Sequence, residues 1–437
     1  MSLKSVHLGI IVALFGAALP FPSFAEQPAL PEPLTLDAAL ETASNPLHFD
    51  IALIDQRIRE VDALVGVENA DFGLSVDIKG RLRAVGPNDL ADPDDDDDSA
   101  VSLLVSKPLY DFGKSDARLN ALSIEKQVLM LEKEHVIEQR RILILEKYFD
   151  VLNADNDFIS ENEGLATGFI RYDRAIENQQ LGLSSEIDVL RLQAEYELIR
   201  QRRYEAENRQ RLSRMILAEA MGYPDQLPNT LEAPEINLDK PLSNNVDALI
   251  DRALAYSTTA RSLAGKSKIA EFAIQQADTE GSPRLDFELE FSEYERESST
   301  RDDWRASIYF DVPLYSGVRS SSRSLAKARY QKTLAEISGY RSQLRLEVLQ
   351  LWQSIQQNRL IAEGNQVTQN YRDIYLDRSR AEYELEFKTD LGDAMVQFSR
   401  ARTERLKAVY AYELSYMRLQ ALVGKAFLQS ENNGDAQ

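Results

Sequence analysis

Pro108-Leu109-Tyr110-Asp111-Phe112-Gly113 and Pro313-Leu314-Tyr315-Ser316-Gly317 stand 205 residues apart, and each opens a proline-free run, from Gly113 to Leu181 and from Val318 to Glu386. The same offset pairs Lys114 with Arg319, Ser115 with Ser320, Arg118 with Arg323, Ala121 with Ala326 and, far downstream, Asp188 with Asp393. Spacing held over such a stretch is the mark of a tandem repeat in which each half carries a helix of one fixed length. A helix of about 69 residues, at about 1.5 Å per residue, reaches on the order of 100 Å. No single globular core is that long. Leu119, Leu122, Val128 or Leu129, and Leu145 in the first run, and Leu344, Val348, Leu351, Ile355 and Leu360 in the second, form apolar stripes among Arg, Glu and Gln. Such stripes predict helices packed side by side, as in a coiled coil.

Upstream of each Pro-Leu-Tyr the period changes from helical to two. Phe72, Leu74, Val76, Ile78 and Leu82 alternate with Ser75, Asp77, Lys79, Arg81 and Arg83, and Val101, Leu103 and Val105 precede Pro108. In the second half Leu285, Phe287, Leu289 and Phe291 alternate with acids, and Trp304, Ala306, Ile308, Phe310 and Val312 alternate with Arg305, Ser307, Tyr309 and Asp311. Each half therefore offers one hairpin, about 72–107 and about 285–312, with strands of about ten residues, long enough to cross a bilayer when tilted. The alternate faces carry several charges per strand, which suits a water-filled lumen. Two hairpins lying on a soluble domain are the plainer alternative. Four strands cannot close alone, so a barrel would be shared among several chains. The hairpin tips, Asp92 to Ser99 with five consecutive aspartates and Glu295 to Asp303, read as solvated loops. The aspartates lack the spacing and turn glycine of a calcium loop.

Downstream, each long helix (about 113–181 and 318–386) meets a turn and returns as a shorter one, about 185–221 and 390–423, ending at Gly222 or Gly424, the residue type that closes helix C-termini. A further helix precedes each hairpin, from about Leu36 to Asn69 and from about Val246 to Asp278. The Pro-rich stretch 223–245 links a first repeat, 26–222, to a second, 246–424, and predicts a connection wrapped around the middle of the helical body. Residues 425–437 read as a flexible tail.

The first 25 residues, with Lys4, an apolar run from Leu8 to Leu19, then Ser23 and Ala25, are expected to be a secretory signal peptide. No segment is apolar for the roughly 20 residues of a spanning helix, so embedding in a membrane has to be by strands. The chain has no cysteine, hence no disulfide framework and no acylated cysteine. Its net charge of −21 makes nucleic acid an unsuitable partner. The histidines, His7, His48 and His135, are scattered and build no metal site, and no phosphate-cradling loop or nucleophile elbow is present. Neither an enzyme nor a cofactor is expected.

Helix, hairpin, Pro-Leu-Tyr, very long helix, turn and returning helix, in that order twice, together with the turn Gly182-Leu183-Ser184-Ser185-Glu186-Ile187-Asp188-Val189-Leu190, resemble the TolC family of outer-membrane efflux proteins from about Leu34 to Gly424. The resemblance implies a mainly helical fold with a transmembrane β-barrel: a homotrimer whose twelve strands form one barrel in outer-membrane lipid, continued by a long periplasmic helical barrel. It implies partners too, a periplasmic adaptor (membrane fusion protein) and an inner-membrane pump of the ABC, RND or MFS type, in tripartite efflux or type I secretion. The tunnel tip would be opened by the adaptor. In the family the second turn carries acids that ring the narrow end; the matching position is Asp393, and Asp390, three residues earlier, shares its helix face. A ring of carboxylates favours cations. The plainer role of such acids is a helix cap or first-turn charge. The position where a second family aspartate is common holds Val396, and Phe387 stands where the first turn has Gly182, so the gate departs from the family pattern. Gly182, Ser185 and Asp188 in the first turn, and Phe387 and Lys388 in the second, are the expected adaptor contacts, against simple turn chemistry for the same residues. A soluble periplasmic coiled-coil adaptor or scaffold is the rival from another class, although adaptors present one helical hairpin rather than two. Small molecules and an unfolded secreted protein are equally compatible cargoes.

Overall fold

The computed structural model of the chain describes residues 29–86, 97–295, 301–315, 317–385 and 390–424. The expected signal peptide, the aspartate run up to residue 96, most of the loop before Arg301, Phe387, Lys388 and the tail 425–437 lie outside them.

Four strands form one antiparallel sheet in sequence order: β1 (Ser75–Arg81), β2 (Ala100–Tyr110), β3 (Arg284–Tyr294) and β4 (Trp304–Asp311). The two hairpins, far apart in sequence, meet at β2 and β3, where Val105 lies opposite Leu289 and Leu103 opposite Phe291. Directly opposed residues share a face. One cross-row is therefore Ile78, Leu103, Phe291, Trp304, and the next on that face is Val76, Val105, Leu289, Ala306. The row between them is Asp77, Leu104, Glu290, Arg305, and the row beyond Val76 is Ser75, Ser106, Glu288, Ser307. One face is thus mainly apolar, with Lys107 in the row of Phe287 and Ile308 and Glu293 opposite Val101 as its charged members, and the other is mainly hydroxylated and charged, with Glu290 paired to Arg305 at 2.8 Å. Among the described residues nothing covers the apolar face at Ile78 and Ile308, which are 76% and 67% exposed. Among the described residues the outer edges of β1 and β4 have no strand partner.

The hairpin tips are not wholly solvated, contrary to expectation. Asp98, the last aspartate of the run, is fully buried, its carboxylate bonded to Arg83 and Arg301 with Arg81 at 3.9 Å. A carboxylate survives that burial because guanidinium groups from both hairpins neutralise it. The two Pro-Leu-Tyr copies also differ. Pro108 to Tyr110 end β2 at a bulge opposite β3, whereas Pro313 to Tyr315 lie beyond β4, an edge strand whose register with β3 finishes at Asp311.

Eight helices complete the described fold: α1 (Leu36–Glu41), α2 (Phe49–Asp71), α3 (Lys114–Gln180), α4 (Glu186–Met221), α5 (Val246–Tyr256), α6 (Thr258–Thr279), α7 (Gly317–Glu384) and α8 (Leu391–Val423). The 67-residue α3 and the 68-residue α7 run the length of the molecule, each about 100 Å. Entry to α3 is a sharp corner: Phe112 and Gly113 take left-handed φ of 56° and 89°, and the Asp111 carboxylate accepts from the Ser115 amide and hydroxyl at 2.7 and 2.6 Å. Five residues in, Arg118 pairs with the buried Glu68 near the end of α2 (3.1 Å); its repeat-mate Arg323 pairs with Asp278 near the end of α6 (2.9 Å). The same junction is built twice.

The helices expected from Leu36 to Asn69 and from Val246 to Asp278 are each two. Pro46 cannot continue a helix, and the Asn45 side chain accepts from the Leu47 amide in the intervening turn. In the second case Ser257, extended at φ −52° and ψ 121°, ends α5 and caps α6 by accepting from the Ala260 amide. The main cores lie midway along the long helices, where Ile144, Leu145, Tyr148, Leu217 and Met221 pack in one cluster and Leu249, Leu344, Val348, Ile355 and Leu419 in another. The connection 223–245 crosses this region with its carbonyls held by side chains. The single hydroxyl proton of Tyr148 is shared between the Glu232 carbonyl at 2.6 Å and that of Leu34, outside the connection, at 2.8 Å; Tyr412 donates to Leu238 (3.0 Å), Tyr416 to Pro241 (3.2 Å) and the Trp352 indole to Ser243 (2.9 Å). Burial pushes the Tyr412 hydroxyl up to about 12, so these donors stay protonated.

Candidate gate at the helical tip

Both helical hairpins turn at the end of the molecule farthest from the sheet, and the sequence-predicted site residues gather there. At the α3–α4 turn, Gly182 takes φ 75°, its amide donates to Gln179 (2.9 Å), and the Leu183 amide reaches back to Asn178 (2.8 Å). This double closure needs a left-handed residue, which is why glycine stands there. Ser185 then caps α4. Its Oγ accepts from the Asp188 amide at 3.2 Å while its hydroxyl donates to the Asp188 carboxylate at 2.6 Å. That hydroxyl, with the backbone contact, holds the Asp188 carboxyl below the usual carboxylate range. The turn is polar in its bonds but apolar in its surface: Leu181, Leu183 and Ile187 are all more than 70% exposed.

The α7–α8 turn is tied down differently. Asp390 precedes α8 as its N-cap residue, yet its side chain caps nothing; its Oδ2 accepts from the Tyr375 hydroxyl of α7 at 2.8 Å, and its Oδ1 is buried with no hydrogen-bond partner among the described residues. Asp393, in the first turn of α8, is ion-paired with Arg171 of α3. Between them Gly392 lets α8 approach α3 closely. Its carbonyl accepts from the Thr167 hydroxyl at 3.3 Å, and a Cβ built on it would stand 2.8 Å from Thr167 Cγ2. Ala394 and Val396, on the next turn, are buried.

Asp390 and Asp393 therefore face different partners despite their spacing, one toward α7 and the other toward α3. Phe387 and Lys388 lie outside the described residues. Arg171, Tyr375, Thr167 and Gly392 were not singled out from the sequence. Only Gly392 left a trace there, since glycine in a first helical turn costs about 1 kcal/mol without a packing reason. Tightness recurs on the other side of α3, against α4: Gly168 would set a Cβ 2.9 Å from Ile199 Cδ1, with Tyr172 and Tyr196 stacked nearby at 5.9 Å.

No family model matches the chain, and no curated protein matches it by sequence. Solved structures do match. The chain superposes on the CmeC outer membrane channel of Campylobacter jejuni with a TM-score of 0.73 at 15% identity, covering 89% of this chain and 85% of that one. The outer membrane protein VceC of Vibrio cholerae gives 0.66 at 16% identity over 89% of this chain and 96% of that one. The MtrE outer membrane channel of Neisseria gonorrhoeae, in its open state, gives 0.67 at 15% identity, covering 89% and 88%. What is shared at these identities is the fold, and the fold of this chain is TolC-like.

Proposed function

We propose that a chain with the fold of these outer-membrane channels is itself an exit duct. It sits in the outer membrane of a Gram-negative cell and passes substrates from an inner-membrane pump across the periplasm to the exterior. The observation that carries this reading is the sheet. A four-stranded sheet with one bare apolar face, one charged face and two unpaired edges is stable only where lipid covers the first, water the second, and other copies the third. Three copies give twelve strands, an even number in the range of closed membrane barrels. The long helices then extend the lumen into the periplasm. A soluble scaffold would leave the apolar face in water, so that alternative is not favoured.

In this reading the stretches 26–222 and 246–424 act as two repeats of one unit, preceded by a removed signal peptide. The duct performs no covalent chemistry, and the pump supplies the energy. Gly182, Ser185 and Asp188, with Phe387 and Lys388, form the tip that the periplasmic adaptor grasps, and the bare Leu183 and Ile187 give it apolar purchase. Asp390 and Asp393 are the gate residues: they stand at the start of α8, whose first turn packs against Thr167 of α3 through Gly392, and the adaptor releases that turn. Cargo is either small molecules or a secreted protein.

The test is to separate inner and outer membranes, extract the mature protein in detergent and measure its native mass. An outer-membrane species three times the mass of one mature chain is expected. A monomer or dimer released without detergent would sink the proposal.

A further inference from the structure

We infer that Arg171 sets the ionic character of the periplasmic entrance by cancelling the charge of Asp393, so that the closed tip presents no free ring of carboxylates. The inference rests on the duct reading above and concerns a residue that reading does not require.

Asp393 and Arg171 are about half exposed, with side-chain exposures of 52% and 47%. An ion pair so open to water shifts an equilibrium by only about a few-fold. Swinging a two-state element from nearly all closed to nearly all open takes about a 10⁴-fold preference. The pair is therefore too weak to hold the tip shut by itself. The contact of Gly392 with Thr167 and the burial of Ala394 and Val396 do that. What the pair does change is the field. A carboxylate in the first turn of a helix keeps its charge, because the helix dipole favours it there. Set around a three-fold axis, such carboxylates would attract cations and repel one another. With a guanidinium bonded to each, the ring becomes a set of dipoles. Asp390 is not part of that exposed ring: one of its oxygens is bonded to Tyr375 and the other is buried. Arg378 of α7 also lies within electrostatic reach of Asp390.

The cancellation holds only while α8 lies on α3. When α8 moves away, Asp393 and Arg171 part and both charges are bared. The ionic preference of the entrance thus depends on whether the tip is closed or open.

The experiment is planar-bilayer recording of the reconstituted mature protein, reading the reversal potential in a KCl gradient and block by La³⁺ added at the periplasmic side. Wild type is expected to discriminate weakly and to be blocked weakly. Arg171→Gln should move the reversal potential toward the cation limit and tighten La³⁺ block by about tenfold, the effect of restoring a carboxylate ring. Asp393→Asn should move the potential the opposite way by uncovering Arg171, and the exchanged pair R171D with D393R should return the wild-type values. Unchanged potential and block in Arg171→Gln, or no anion shift in Asp393→Asn, overturns the inference while leaving a conducting duct. A wild-type protein that forms no channel removes the duct reading and the inference together.

Discussion

The hydroxyl of Tyr375 donates across the α7–α8 turn to Asp390 at 2.8 Å, so the residue at the N-cap position of α8 spends its carboxylate on the neighbouring helix instead of on its own amides. A cap that serves tertiary structure leaves the helix start less secure and the turn more firmly placed. In Tyr375→Phe the Asp390 carboxylate loses the one donor found for it. The penalty for an unsatisfied buried acceptor is about 1–3 kcal/mol, enough for a tenfold change in an open-to-closed ratio. Spontaneous channel openings of the reconstituted protein should become more frequent by that order. Unaltered opening statistics would show that the bond is incidental to the gate.

Gly392→Ala puts a methyl group 2.8 Å from Thr167 Cγ2, so α8 has to retreat from α3. The tip should leak, seen as raised basal conductance or uptake of a bulky solute. Gly364→Ala, in α7 with nothing within 4 Å of the added Cβ, is the control. It should leave conductance alone and stabilise by about 0.5–1 kcal/mol through helix propensity. Leakage in both variants, or in neither, would argue against a close-packed seam as the seal.

Ile308 and Ser307 are neighbours on β4 that face opposite sides of the sheet. Arginine on a lipid-facing position near mid-membrane costs about 2–4 kcal/mol, and on a lumen-facing position little. Ile308→Arg should lower the temperature at which the detergent-extracted oligomer dissociates on a gel, and Ser307→Arg should not. The reverse ranking would invert the assignment of the two faces.

His48 is buried at the N-terminus of α2, its Nδ1 accepting from the Asp50 amide at 3.3 Å. Burial, then the Arg140 guanidinium, lowers its pKa from 6.5, against the opposing pull of Asp50 and Glu219. The folded protein therefore resists protonation that the unfolded chain accepts. Stability is full above about pH 6.5 and is lost as pH falls from there toward the lower folded value. Thermal unfolding should show a drop between about pH 7 and pH 5 that is smaller in His48→Gln. Identical drops in the two proteins would assign the acid sensitivity elsewhere.

The repeat was legible because it is written in single residues with strict chemical duties. Arg118 and Arg323, matched by spacing alone, prove to clamp the end of the preceding helix in both halves. The two faces of the sheet were legible too, since alternation along a strand is a local property. The breaks before each hairpin were harder. Asn45-Pro46 announces the first, but Ser257 is an ordinary residue until its Oγ takes the Ala260 amide. The tip contacts were least legible. Arg171 lies far from Asp393 in sequence, no period links them, and their meeting depends on how closely Gly392 lets two helices approach.

The belt of donors that Tyr148, Trp352, Tyr412 and Tyr416 extend to the connecting segment has a mechanical consequence. Two of these four side chains sit on α8 within a dozen residues of its C-terminal end at Val423, while its other end reaches the tip. Clamped at Tyr412 and Tyr416, α8 leaves a free arm from Tyr412 to Leu391 about 32 Å long at about 1.5 Å per residue. Tilting it by one degree at the clamp sweeps its free end through about 0.6 Å, a large part of the slack in an atomic contact, so the aperture at the far end inherits its precision from the stiffness of the anchorage.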